Sequence, residues 1–158
     1  MKAASIAEIK KELKTRSHTE LLELCMRLAK YKKDNKELLT YLLYEAGNET
    51  AYINAIKEEV DESFKEINSS NSYLAKKGLR KVLRSLTKYI KYSGIKETEL
   101  EILIYFCQKI KRSSIYKYLS TNSVLNNLYL SQLKKINKAV ETLHEDLQYD
   151  YQQEIKKL

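Results

Sequence analysis

Tyr73–Gly94, YLAKKGLRKVLRSLTKYIKYSG, decides the fold class. Ala75, Leu79, Val82, Leu83, Leu86 and Ile90 recur at the three-and-four spacing of an amphipathic helix. Lys77, Lys81, Arg84, Lys88 and Lys91 fall on the opposite side. From Ile67 to Lys96 there is no Asp or Glu, and the window holds eight Lys or Arg. The chain as a whole is +8, so the residues outside this window sum to zero. One helix therefore carries the charge asymmetry, and its apolar stripe makes it a packing element.

Outward from this helix the pattern stays helical. There is no proline and there are only three glycines in 158 residues. A β-rich domain needs more of both in its turns. Upstream, Ser5 with Glu8 and Ser17 with Glu20 make capping boxes for helices over about 5–15 and 17–30. The link between them is short enough that the two helices are expected to fold back as a hairpin. Asp34 with Glu37 predicts a third start, and Gly47 a left-handed stop for that helix. Asn48 caps a fourth helix to Ile67, acidic outside through Glu58, Glu59, Asp61, Glu62 and Glu66.

The loop Asn68–Ser72 joins this acidic helix to the basic one. Thr98 with Glu101 predicts a start for a helix running to about Lys111. That helix is apolar nearly all round, as a central buried helix is. ILIYF within it also suits a strand, but no second β-like run exists to pair with it. A short segment at Ile115–Leu119 precedes a last helix over about 123–157. The expectation is an all-α fold of seven to eight helices in antiparallel pairs, forming one domain as an irregular bundle or a short α-α superhelix. The expected core is Leu22, Leu24, Leu28, Leu39, Leu42, Ile56, Leu79, Leu83, Leu86, Leu103, Phe106 and Leu133.

Catalysis finds little support. The glycines are single and far apart, so there is no phosphate loop, and no nucleophile elbow occurs. Cys25 and Cys107 read as small buried hydrophobes in a reducing compartment. Glu141-x-x-His144 has the spacing of di-iron bundles, but the second copy and extra carboxylates they need are missing. The expectation is a non-enzyme with no metal and no cofactor. No apolar run is long enough to cross a membrane, and the N-terminus lacks the apolar segment of a signal peptide. A cytoplasmic protein that does not bind membranes follows as the expectation.

Two candidate surfaces remain. The first is Lys77, Lys81, Arg84, Lys88 and Lys91 with Tyr89 and Tyr92, able to hold phosphates or an acidic partner and to stack single-stranded bases. Lysines outnumber arginines 24 to 5, and arginine is the residue suited to bidentate phosphate or guanine recognition. The basic face can also be an ordinary solvated surface beside the acidic helix. The discriminating questions are whether Glu58, Glu62 and Glu66 cover it, and whether it continues into Lys109, Lys111, Arg112 and Lys117. The second surface is LHEDLQYDY, where His144, Glu145, Asp146 and Tyr149 can contact a partner. A non-catalytic protein–protein interaction is the first expectation, and phosphate-backbone binding to nucleic acid the second.

AEIKKELKTRSHTELLELCMRL (Ala7–Leu28) resembles a SAP domain, a small DNA-binding helix–link–helix, without that family's linker glycine. Through KYKKDNKELLTYLLYE (Lys30–Glu45) and LHEDLQYDY, the chain is similar to small all-helical bacterial proteins to which no function is attached. That resemblance implies the fold class and carries over no functional residue.

Overall fold

The computed structural model describes residues 2–158, and they contain helices and turns but no strand. Eight α-helices follow in order: α1 (Ile6–Leu13), α2 (His18–Tyr31), α3 (Lys33–Thr40), α4 (Glu49–Glu66), α5 (Ser72–Ser93), α6 (Lys96–Arg112), α7 (Ser123–Val140) and α8 (Glu145–Ile155). A π-helical turn occupies Tyr41–Glu45 and a 3-10 turn Ser114–Tyr118. The fold is all-α, with ILIYF inside α6. The chain divides into two compact units, Met1–Tyr44 and Glu45–Leu158.

In the first unit, both expected capping boxes form. The Ser5 and Ser17 hydroxyls accept from the Glu8 and Glu20 amides, and each glutamate accepts from its cap residue's backbone. The Ser5 hydroxyl and backbone N–H donating to Glu8, and the Ser17 backbone N–H and hydroxyl donating to Glu20, hold both carboxyls below their ordinary range. The close packing of this unit is between α2 and α3, where Asn35 Nδ2 donates to the Leu28 carbonyl at 2.9 Å. The expected α1–α2 hairpin does not close, and an open cleft separates the two helices. Helix α3 starts at Lys33 rather than after Asp34, with Lys32 as a cap that makes no side-chain hydrogen bond. Gly47 is not left-handed, because the chain leaves α3 through the wider π turn.

The second unit is built around α6. Thr98, Leu100, Ile102, Leu103, Ile104, Phe106, Cys107 and Ile110 are all buried, as its all-round apolar pattern predicts. Helices α4, α5 and α7 pack on it. Antiparallel α4 and α5 are tied at 49–93, where Ser93 Oγ donates to Glu49, and at 52–89, where the Tyr52 hydroxyl donates to the Tyr89 carbonyl. Helix α6 runs parallel to α4, through Lys57–Glu101 at 2.7 Å, Tyr105 donating to Asp61 at 2.6 Å, and Phe64 edge-on to Phe106.

Thr98 does not cap α6. It is buried, and its hydroxyl donates to Glu49 at 2.6 Å, so one carboxylate gathers the start of α4, the end of α5 and the start of α6. The long last helix is also two helices. Residues 141–144 break it, and Gln148 Nε2 donates to the Leu143 carbonyl at the bend. Helix α8 then returns to the bundle, where the Tyr129 hydroxyl donates to the Leu158 carbonyl.

The expected core is half right. Ile56, Leu79, Leu86, Leu103 and Phe106 are buried, while Leu39, Leu83 and Leu133 are half-buried. Leu22, Leu24, Leu28 and Leu42 are exposed. All four lie in the first unit, whose only buried described residue is Tyr41.

Candidate functional site

The basic face lies on α5, which Asn71 starts by accepting from the Leu74 amide and Gly94 stops at φ 68°. Lys77, Lys81, Arg84 and Lys91 are exposed and Lys88 is half-buried. Acidic α4 does not cover the face. Asp61 pairs with Lys109 at 3.0 Å and accepts from Tyr105, and Glu62 pairs with Lys65, while Glu59 reaches α5 at Tyr89 and Glu66 only borders the face beside Lys77, Lys81 and Arg84. The Tyr105 hydrogen bond, more than the charge of Lys109, holds the Asp61 carboxyl below the ordinary aspartate range. Burial first, then Asp61, pushes Tyr105 up to about 12. Lys77, Arg80, Lys81, Arg84 and Lys91 form no ion pair among the described residues.

A groove runs along this face, lined by Tyr73, Lys76, Lys77, Arg80, Leu83, Arg84 and Thr87. Tyr73 is 65 % exposed at its edge, with Lys76 Nζ 5.5 Å from its ring. A second hollow, where Glu66 and Asn68 approach, borders Lys77, Lys81 and Arg84. Tyr89 and Tyr92 are placed otherwise. Both are half-buried with ring centres 6.4 Å apart, and the Tyr89 hydroxyl donates to both Glu59 carboxylate oxygens at 2.8 and 2.9 Å. The aromatic beside the unpaired cations is therefore Tyr73, passed over in the sequence because it precedes the lysine run.

The α6 cations are engaged elsewhere. Lys109 and Arg112 line a hollow with Glu58, Glu59, Asp61 and Glu62, and Lys111 Nζ donates to the Lys157 carbonyl. The open basic surface is thus a patch on α5.

His144, Glu145, Asp146 and Tyr149 are brought together at the start of α8 and are all exposed. His144 is the N-cap residue, with Nδ1 3.4 Å from Asp146. The break at 141–144 takes Glu141 and His144 off a common helical face. Among the described residues, no three His, Cys, Asp or Glu side chains gather as a metal site. Cys107 is buried, which pushes its thiol up to about 12, away from the reactive thiolate. No helix of the described residues is long and apolar enough to cross a membrane.

The feature that sequence reasoning placed in the core is the α1–α2 cleft. Its walls are Ile9 and Leu13 from α1 and Leu24 and Leu28 from α2, all exposed, with a volume of about 800 Å³. Glu8, Glu12, Glu20 and Glu23 edge it with Arg16 and Arg27. Arg16 bridges Glu12 at 3.6 Å and Glu20 at 3.3 Å. The signal was legible in part: LLELCMRLA (Leu21–Ala29) is apolar on more than one face, more than a single packed neighbour covers.

No protein-family model, no curated protein and no solved structure matches this chain. Fold and surfaces together define an all-α, two-unit helical protein with an apolar cleft in one unit and an open basic patch on the other.

Proposed function

We propose that this is a non-catalytic helical protein that acts by protein–protein interaction through the α1–α2 cleft. One observation carries the reading: Ile9, Leu13, Leu24 and Leu28 line an open cleft at exposures of 39–61 %. Contiguous exposed apolar surface with a polar rim is how protein-binding sites differ from ordinary surface. A cleft between two helices suits an amphipathic helix laid into it. A photo-crosslinking residue at position 28 of the full chain tests this in cells. Discrete protein adducts that disappear with Leu24→Glu are the expected result. Absence of any protein adduct, with circular dichroism unchanged, overturns it.

A second reading is favoured by the unpaired cations. Lys77, Arg80, Lys81 and Arg84 beside Tyr73 fit the phosphate backbone of a nucleic acid, with one aromatic available for a base. Salt-titrated binding to single- and double-stranded DNA and RNA tests it. The logarithm of affinity should fall with the logarithm of salt with a slope of roughly −0.9 per phosphate contacted on duplex DNA and about −0.7 on single strands. Lys81→Glu with Arg84→Glu should abolish binding, and no binding at low salt removes this reading.

A further inference from the structure

We infer that the occupant of the α1–α2 cleft is a second copy of this chain, an inference that rests on the protein-interaction reading and names its partner. The first reason is energetic. Residues 1–44 hold three helices, two of them with complete capping boxes, yet only Tyr41 among the described ones is buried. Units of about 40 residues do not build a sufficient core alone and ordinarily use oligomerisation, metals or disulfides. Among the described residues there is no metal cluster, and both cysteines are free.

The second reason is self-complementarity. The same helix supplies both a wall and a plug. Helix α1 carries the stripe Ile6, Ile9 and Leu13, with Ile6 81 % exposed beyond the cleft. At 3.6 residues per turn, Glu12 and Glu8 edge this stripe on one side and Lys10 and Lys14 on the other. The glutamate edge lines the cleft and the lysine edge does not. Two α1 helices related by a two-fold axis and running parallel would join stripe to stripe. Each lysine edge then meets the partner's glutamate edge, the pattern by which flanking charges choose partner and orientation in paired helices. A two-fold contact needs a surface that complements itself, and this one does.

The experiment is sedimentation equilibrium of the full chain from 1 to 200 µM, with hydrogen exchange read over α1 and α2. A dimer is expected. Leu13→Glu and Leu24→Glu should each shift it to monomer, with helicity outside α1 and α2 retained. Lys10→Glu with Lys14→Glu should weaken self-association at least tenfold. Mixing that variant with Glu12→Lys should restore pairing as a heterodimer, a rescue that a folding defect cannot produce. A monomer throughout overturns the inference, and exchange separates two cases. If α1 and α2 exchange rapidly, the cleft is open and the protein-interaction reading stands with another partner. If they are protected in the monomer, the chain covers its own cleft and both readings fall.

Discussion

At Gly78, in the middle of α5, a glycine weakens the helix by about 1 kcal/mol relative to alanine. Its place is explained by the end of α4. A Cβ at position 78 would lie 2.7 Å from Ile67 Cγ2, 2.9 Å from Cγ1 and 3.2 Å from Cβ. The β-branch point itself is too close, so turning the Ile67 side chain does not clear the contact. Overpacking of this kind costs about 1–3 kcal/mol, more than the propensity gained. Gly78→Ala should therefore lower stability by about 1 kcal/mol in urea unfolding, and Ile67→Ala in the same chain should reverse the sign of the alanine effect. A raised midpoint for Gly78→Ala alone would mean that Ile67 yields freely. Single residues were also where sequence reading succeeded and failed for visible reasons. Ser5, Ser17 and Asn48 cap as read, because their partners lie three residues away. Thr98 has the same local signature with Glu101, yet its hydroxyl goes to Glu49. A buried hydroxyl takes the charged acceptor that packing supplies, and a partner 49 positions away leaves no mark in a local pattern.

Between elements, the parallel contact of α4 and α6 is held by a polar cluster at its rim. Asp61 accepts from Tyr105 at 2.6 Å and pairs with Lys109 at 3.0 Å. Its carboxyl is held below the ordinary aspartate range, chiefly by the Tyr105 hydrogen bond. A lowered carboxyl stabilises the fold above its unfolded value and loses that contribution as pH falls through the folded value. The stabilisation should be full at pH 6, begin to fall below about pH 4, and be lost only as pH passes through the lower folded value. Because Asp61 keeps 39 % of its side chain exposed, solvent limits the effect to about 1 kcal/mol or less. Asp61→Asn should thus cost more stability at pH 6 than at pH 3, as read from urea midpoints at the two pH values. An equal loss at both would mean that packing rather than charge is involved. The starts of α4, α5 and α7 and the apolar faces of α4 to α7 were legible, since caps and periodicity are local. The break between α7 and α8 was not, because the Leu143 and Leu147 stripe runs through it in phase. The α5 patch was legible as a stripe of cations, but its openness was not. Openness depends on where α4 sends its carboxylates, and three-dimensional packing sets that.

Over the whole molecule, the two units differ in what holds them. Residues 45–158 enclose a core around α6 in which Leu100, Phe106, Cys107 and Ile110 are fully buried. Residues 1–44 have apolar stripes of similar density with almost nothing buried, the point at which the sequence misleads most. A period of 3.6 marks which face of a helix needs cover, and it does not say what covers it. Leu24 and Leu28 were expected in a core for this reason. The division has a consequence for cooperativity, since proteins open in units that follow their buried contacts. Phe106→Ala should cost about 3–5 kcal/mol, the range for removing a fully buried aromatic. Its effect should be confined to the unit that contains it. Native-state hydrogen exchange at one fixed protein concentration makes the comparison. Amides of α6, expected to be the slowest in the chain because its core is fully buried, should lose protection equal to the full cost, while those of α2 and α3 keep their wild-type rates. If the inferred dimer forms, dilution of the wild type should do the reverse, speeding α2 and leaving α6 unchanged. If Phe106→Ala accelerates α2 as much as α6, the chain unfolds as a single body and the two units share one stability.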